Sequence, residues 1–271
     1  MKYKSVKLTN NDGKMWHIGL DENDIGKHLI LPGDPARCEM VNKFFENGKL
    51  VQVSRGNPTY TGTYKGIPVS VMSTGMGPMA VAVCVEELKH IGAKTLIRMG
   101  TSGSLQPNIP DCSFVIATGA VRGDMASRQY IDLAYPAIAD IDVVNALRQA
   151  CQEYGVKPYC GVIRSHDAFY LESPGAHGGP EGVRERIDKW TDAGVLSIEN
   201  ESSALFTVSS LLGGLRAGTI LLTGGYLGNS YGAMSTSNDS EYPKRVELMT
   251  KITLRAIEII DGLEELVDVR E

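Results

Sequence analysis

Short apolar runs closed by glycine, proline or polar residues, several of them followed by an apolar pattern of helical period, constrain this 271-residue chain most tightly. The runs predict strands over His28 to Leu31, Val69 to Ser73, Thr95 to Met99, Ser113 to Thr118, Cys160 to Arg164, Val195 to Ile198 and Gly218 to Thr223. Helical spacing covers Met79 to Ile91, Val143 to Tyr154, Ser202 to Leu212 and Tyr242 to Val267. Strands that alternate with helices predict an α/β fold with a mostly parallel, covered sheet. The Gly/Pro-rich stretch Ser173 to Gly182 reads as a mobile loop. The strand pattern resumes after it without a shift in composition, so residues 1–271 read as a single domain.

Composition narrows the function. A 42% hydrophobic content is enough to bury a core, and a net charge of −5 with dispersed Lys and Arg offers no basic stripe for a nucleic acid polymer. The N-terminal residues are polar, and no apolar run approaches the roughly 18 residues of a membrane span, so a soluble, cytoplasmic protein is expected. Cys38, Cys84, Cys112, Cys151 and Cys160 lack CxxC spacing and read as buried small hydrophobes.

Three glycine-containing turns follow predicted strands: Pro32-Gly33-Asp34-Pro35, Thr74-Gly75-Met76-Gly77 and Gly100-Thr101-Ser102-Gly103. At the carboxyl ends of strands such turns let backbone N–H groups approach an anion, although glycine after a strand also serves merely to turn the chain. Arg37 follows the first turn, Arg98 precedes the third, and Arg55 stands in the loop Ser54 to Asn57 between two candidate strands; all three carry planar, permanently charged donors suited to oxyanions. Arg98 stands out because it ends an apolar run, where a buried guanidinium must find a counter-charge. In Ser197 to Leu205 (SIENESSAL), Glu199 and Glu201 share one face of an extended chain while Asn200 points away. A carboxylate there could accept two vicinal hydroxyls; the plainer alternative is an acid-rich helix N-terminus. Neither GxGxxG nor GxxxxGK[ST] is present, and the five histidines form no metal-ligand spacing, so no dinucleotide, NTP or metal is expected.

Taken in order, HIGL (17–20), LPGDPAR, STGMG, RMGTSGSLQP, SHDAFY and ENESSAL resemble the nucleoside phosphorylase family of the uridine phosphorylase and hexameric purine nucleoside phosphorylase type. Arg98 to Pro107 and Tyr135-Pro136-Ala137 are especially similar to uridine phosphorylase. The resemblance implies a mixed, partly barrel-like central sheet flanked by helices, and a homo-oligomer, usually a hexamer built from dimers. It implies that Gly33, Arg37, Arg98 and Thr101 bind inorganic phosphate, a co-substrate rather than a cofactor, with Arg55 supplied by a neighbouring subunit. It places Glu199, Asn200, Glu201, Thr101 and Phe169 around the nucleoside, Glu201 holding the ribose hydroxyls, and lets His17 reach the 5′-hydroxyl of a partner's substrate. Arg98 and Glu201 carry the catalysis in this reading, and retention of all three arginines favours phosphorolysis over hydrolysis.

The sequence departs from the family pattern at the base. The uracil-reading Gln-x-Arg pair is missing after Phe169-Tyr170, and Gly224 to Tyr231 lacks the aspartate proton donor of the purine enzymes. Glu172, His177 and Asn229 are the alternative base readers. Gly56 stands where some uridine phosphorylases place a cation-holding carboxylate, so no metal site is expected. A uridine-type nucleoside is the favoured substrate; a purine nucleoside phosphorylase and a nucleoside-binding protein with a repurposed base site are the alternatives.

Overall fold

The computed structural model describes residues 3–172, 178–227 and 241–263. In chain order the elements are β1 (His28–Leu31), α1 (Pro35–Asn42), β2 (Glu46–Ser54), β3 (Asn57–Tyr64), β4 (Ile67–Met72), α2 (Pro78–His90), β5 (Thr95–Ser104) and β6 (Phe114–Gly123). They continue with α3 (Ala126–Tyr130), β7 (Ala137–Ile138), α4 (Ile141–Glu153), β8 (Tyr159–His166), α5 (Gly179–Asp192), β9 (Ser197–Glu199), α6 (Ser202–Leu212), β10 (Arg216–Tyr226) and α7 (Glu241–Asp261). A short 3-10 turn, Phe169–Glu172, follows β8.

All the strands join one sheet, in the order β10-β6-β8-β9-β5-β1-β4-β3-β2, with β7 on β6. Because β10 also pairs with β5, the segment from β10 through β6, β8 and β9 to β5 closes into a barrel. The barrel-like sheet that the resemblance implies is therefore present. The mostly parallel sheet implied by the strand-helix alternation is not: β2–β3, β3–β4, β5–β9, β6–β7 and β6–β10 are antiparallel. Two tight hairpins account for much of this. Arg55-Gly56 and Lys65-Gly66 both take positive φ at both residues (52° and 83°, 50° and 81°), the I′ geometry whose twist matches paired antiparallel strands.

Continuous apolar sequence produces the buried strands. Every residue of β1 (HLIL) is buried, and β5 is buried along nearly its whole length because helices cover it and strands flank it on both edges. Helix α2 packs on α6, and α4 on α7. Asp34 starts α1 by accepting from Ala36 N at 2.9 Å, with Pro35 in the first turn. These caps fix where the chain leaves the strand ends, which is where the cavity forms.

Three further expectations change. Gly100-Thr101-Ser102-Gly103 is no turn: β5 runs through it, because β10 supplies partners in register as far as Ser104. Gly178 caps α5 and residues 179–182 form its first turn instead of a loop, while 173–177 with His177 lie outside the described residues, as does Asn229. Cys38, Cys84 and Cys151 are buried, but Cys112 is half-buried and Cys160 is exposed near the start of β8.

Two buried histidines make stability depend on pH. Burial pulls His28 below its ordinary pKa of 6.5 against Asp261, and pulls His166 down against Glu172. As pH falls, the unfolded chain takes up these protons first, so stability present above 6.5 is lost as pH drops through the lower folded-state values. The melting temperature should fall from about pH 7 to about pH 5, mostly above the range in which carboxylates protonate. A flat profile over that window contradicts this account.

Candidate active site

A cavity of about 790 Å³ opens at the carboxyl ends of β1, β4, β5 and β8, the position where open α/β sheets collect ligands. The turn after β1 contributes Gly33 and Arg37, the turn after β4 contributes Gly75 and Gly77, and β5 contributes Arg98 and Thr101. His166, Phe169 and Glu172 come from the end of β8 and its 3-10 turn, and Glu199, Asn200 and Glu201 from the β9–α6 junction. Gly33, Arg37, Arg98, Thr101, Phe169, Glu172, Glu199, Asn200 and Glu201 thus all line one cavity.

Arg98 is its electrostatic centre. The side chain is 7% exposed; Nε donates to Glu199 Oε2 at 2.9 Å and a terminal nitrogen lies 2.5 Å from Glu201 Oε2. Burial opposes the charge, but Glu201 and Glu199 together outweigh it and push the arginine pKa up. Burial pushes Glu201 up as well, despite the downward pull of Arg98, while Glu199 adds to the rise. Two carboxylates facing one guanidinium leave the cluster one charge negative, and much of its energy resides in hydrogen bonds that replace lost water.

Glycine makes the arrangement sterically possible. A Cβ on Gly100 would stand 2.9 Å from a terminal nitrogen of Arg98, and one on Gly33 would stand 3.1 Å from Gly75 O. Gly77, at φ 94°, is the N-cap of α2, and its N–H donates to Glu201 Oε1 at 2.6 Å. The first two glycine turns are tied together: Thr74 N donates to Pro32 O at 3.0 Å and Ser73 Oγ to Gly33 O at 3.0 Å.

The two glutamates of the Glu199-x-Glu201 pair have different surroundings. Glu199 accepts from Glu201 N at 2.9 Å, Ser202 N at 3.0 and 3.1 Å, and Ser165 Oγ at 2.5 Å. Together with Arg98 these contacts occupy the carboxylate, so Glu199 holds the start of α6 and positions Arg98. Glu201 is held by Arg98, Gly77 N and the backbone of Asn200, and it faces the cavity. The Asn200 side-chain amide donates to His166 O, which holds it on the cavity wall. Arg37 donates to the Tyr242 hydroxyl at 2.9 Å.

His17 and Arg55 do not reach this cavity. Arg55 is exposed at the tip of the β2–β3 hairpin. His17 sits beside the hairpin's end, where Ser54 Oγ donates to His17 O at 2.5 Å. The His17 segment is held by Glu87 of α2, which accepts His17 N at 3.0 Å, Ile18 N at 2.9 Å and pairs with His17 Nδ1 at 2.6 Å. Glu87→Ala is expected to cost about 1–3 kcal/mol, because buried N–H donors lose their acceptor; chemical denaturation measures it, and an unchanged midpoint would contradict the assignment.

Sequence reasoning misses His166, which lines the cavity, and two residues behind the neighbouring elements, Arg164 beside Glu172 and Glu87 beside His17. Glu87 looks like a solvated helix residue until α2 is packed. His166 lies inside the quoted SHDAFY segment, but nothing in the sequence says that its ring lines the cavity. Among the described residues no group of His, Cys, Asp and Glu could hold a metal, and no helix is long and apolar enough to cross a membrane.

The family model described as the phosphorylase superfamily matches residues 27–258. Uridine phosphorylase from Treponema pallidum is 41% identical over 218 residues, 80% of this chain and 84% of its own length. Guanosine phosphorylase from Halorubrum lacusprofundi is 35% identical over 250 residues, 90% of this chain and 98% of its own. The crystal structure of uridine phosphorylase from Vibrio fischeri ES114 superposes with a TM-score of 0.78 at 33% identity, covering 90% of this chain and 96% of that one. With a barrel-centred sheet, an arginine-bearing cavity at its strand ends and these matches along most of its length, the chain belongs to the phosphorylase superfamily.

Proposed function

We propose that the protein cleaves a nucleoside with inorganic phosphate, uridine being the favoured substrate, to give free base and ribose 1-phosphate. The observation that carries this reading is the junction of Arg98 with Glu201, which sets an anion-binding end directly beside a carboxylate able to take ribose hydroxyls. Phosphate would lie against Gly33, Arg37, Arg98 and Thr101. Glu201 would accept the vicinal hydroxyls, exchanging part of its contact with Arg98 for them, and Phe169 would cover the nucleoside.

A phosphate oxygen attacks the anomeric carbon as the bond to the base lengthens, and the electron pair of that bond leaves with the base. Hydrogen phosphate releases its proton as the new C–O bond forms, and the departing base takes one up, so the equation balances without a cofactor. The positive character on the sugar is stabilised by the phosphate oxygens themselves. Glu201 fixes the sugar between nucleophile and leaving group, which turns a rare encounter into a positioned reaction.

Arg55 and His17 lie together outside their own cavity, which fits service to a neighbour's site and supports a homo-oligomer, a hexamer built from dimers. The activity would belong to nucleoside salvage in the cytoplasm. The guanosine phosphorylase relative supports a second reading, a purine nucleoside substrate. A nucleoside-binding protein would have no use for Arg37 and Arg98 gathered beside Gly33. Purified protein should release base from uridine, thymidine, inosine, guanosine or adenosine only when phosphate is added. Nucleoside binding without cleavage would overturn the enzyme reading.

A further inference from the structure

We propose that Glu172 reads the base, and that it takes a lactam base: one with a ring N–H beside a carbonyl, as in uracil and the 6-oxopurines but not in cytosine or adenine. The inference rests on the phosphorolysis reading above. Glu172 closes the 3-10 turn that begins with Phe169, lines the cavity beside His166 and Phe169, and is 7% exposed.

Its carboxylate is planted by Arg164 of β8. One terminal nitrogen of Arg164 donates to both oxygens, at 2.6 and 2.5 Å. The guanidinium carbon lies 5.2 Å from the centre of the Trp190 ring, and Arg164 Nε is buried without a partner in the structure. The arginine is therefore oriented by the indole and by Glu172, and it balances the charge of Glu172. An ionised carboxylate has about four acceptor positions, and Arg164 occupies two. Among the described residues the next donor is His166 Nδ1, 3.5 Å from Oε2, beyond hydrogen-bond reach.

A buried carboxylate with acceptor capacity on a cavity wall can only accept. It attracts the N–H of a lactam; against an amidine base one lone pair would meet the bare ring nitrogen, and only the exocyclic amino group is left to donate. Asn200 ties this end to the ribose end through His166 O, so a sugar seated on Glu201 presents its base toward Phe169 and Glu172.

The test uses the unmodified enzyme with saturating phosphate. Uridine, inosine and guanosine are compared with 3-methyluridine, 1-methylinosine and 1-methylguanosine, in which a methyl group replaces the ring N–H, and with cytidine and adenosine. At least one of the three parent nucleosides should be cleaved, and its N–H-lacking counterparts should fall by about 10³-fold or more in kcat/KM, since a site built to hydrogen-bond a group rejects analogues without it. Which parent is cleaved, uridine or a 6-oxopurine nucleoside, distinguishes the two sources of the same edge. In Glu172→Gln, whose amide can turn either an acceptor or a donor to the base, the preference should shrink to about tenfold with KM for phosphate unchanged. A methylated analogue cleaved within about threefold of its parent overturns the assignment of Glu172 while leaving phosphorolysis standing. No phosphate-dependent cleavage of any parent removes the reading on which the assignment rests, and the assignment with it.

Discussion

Arg98→Ala is expected to lower kcat/KM by about 10³-fold, the scale set by loss of a preorganised charged donor in a water-poor site, and to destabilise the fold by about 3–5 kcal/mol. The two effects share one cause. Glu199 and Glu201 are 5% exposed and face Arg98 from both sides, so removing the guanidinium leaves two carboxylates buried against each other. One of them would have to take up a proton, and burial already holds Glu201 above its ordinary pKa. The activity loss should fall on phosphate, as a raised KM for phosphate, while the stability loss should shrink toward neutral-acid pH as the carboxylates protonate. Arg98→Lys separates them: it restores charge and most of the stability but not the fork-shaped donor set, so activity should recover less than melting temperature. Wild-type phosphate dependence in Arg98→Ala would remove Arg98 from the site.

Glu201→Gln is expected to slow cleavage of ribosides by about 10²-fold or more in kcat/KM and to cost about 1–3 kcal/mol of stability. The glutamine oxygen can still accept from Gly77 N and Arg98 keeps Glu199, but the amide nitrogen then faces Arg98, donor against donor. What is lost is a charged acceptor able to take two hydroxyls at once. A 2′-deoxynucleoside, which offers one hydroxyl fewer to that acceptor, should be affected less. Equal losses on ribosides and deoxyribosides would place Glu201 away from the sugar. Together the two variants divide the cavity into a phosphate end and a ribose end.

Much of this site is legible in the sequence because glycine, arginine and glutamate occur there in segments whose order along the chain is informative. The bounds of β1 and α6 follow directly from their apolar patterns, HLIL and SSALFTVSSLL. Helix α1 does not, since PARCEMVN buries only Cys38 and Val41 and shows no apolar stripe. The continuation of β5 through Gly100-Thr101-Ser102-Gly103 is hidden for a different reason: its composition is that of a turn, and only pairing with β10 makes it strand. The mixed sheet is hidden for the same reason, because direction is decided by partners distant in the chain.

Among the site residues, Arg98 is marked by its place at the end of an apolar run, where burial demands a counter-charge. The division of labour between Glu199 and Glu201 is not marked at all. Both fit either role by spacing, and the outcome depends on where Ser165 and the start of α6 fall in three dimensions. Arg164 looks like an ordinary strand-end cation until Trp190 and Glu172 are seen around it.

Phosphate, not water, is the expected nucleophile in the cavity built around Arg98. Phosphorus NMR of a single-turnover mixture of enzyme, nucleoside and inorganic phosphate distinguishes the two. A sugar 1-phosphate resonance should grow in step with free base. Free base accompanied by unphosphorylated ribose, with the phosphate signal unchanged, would make water the nucleophile.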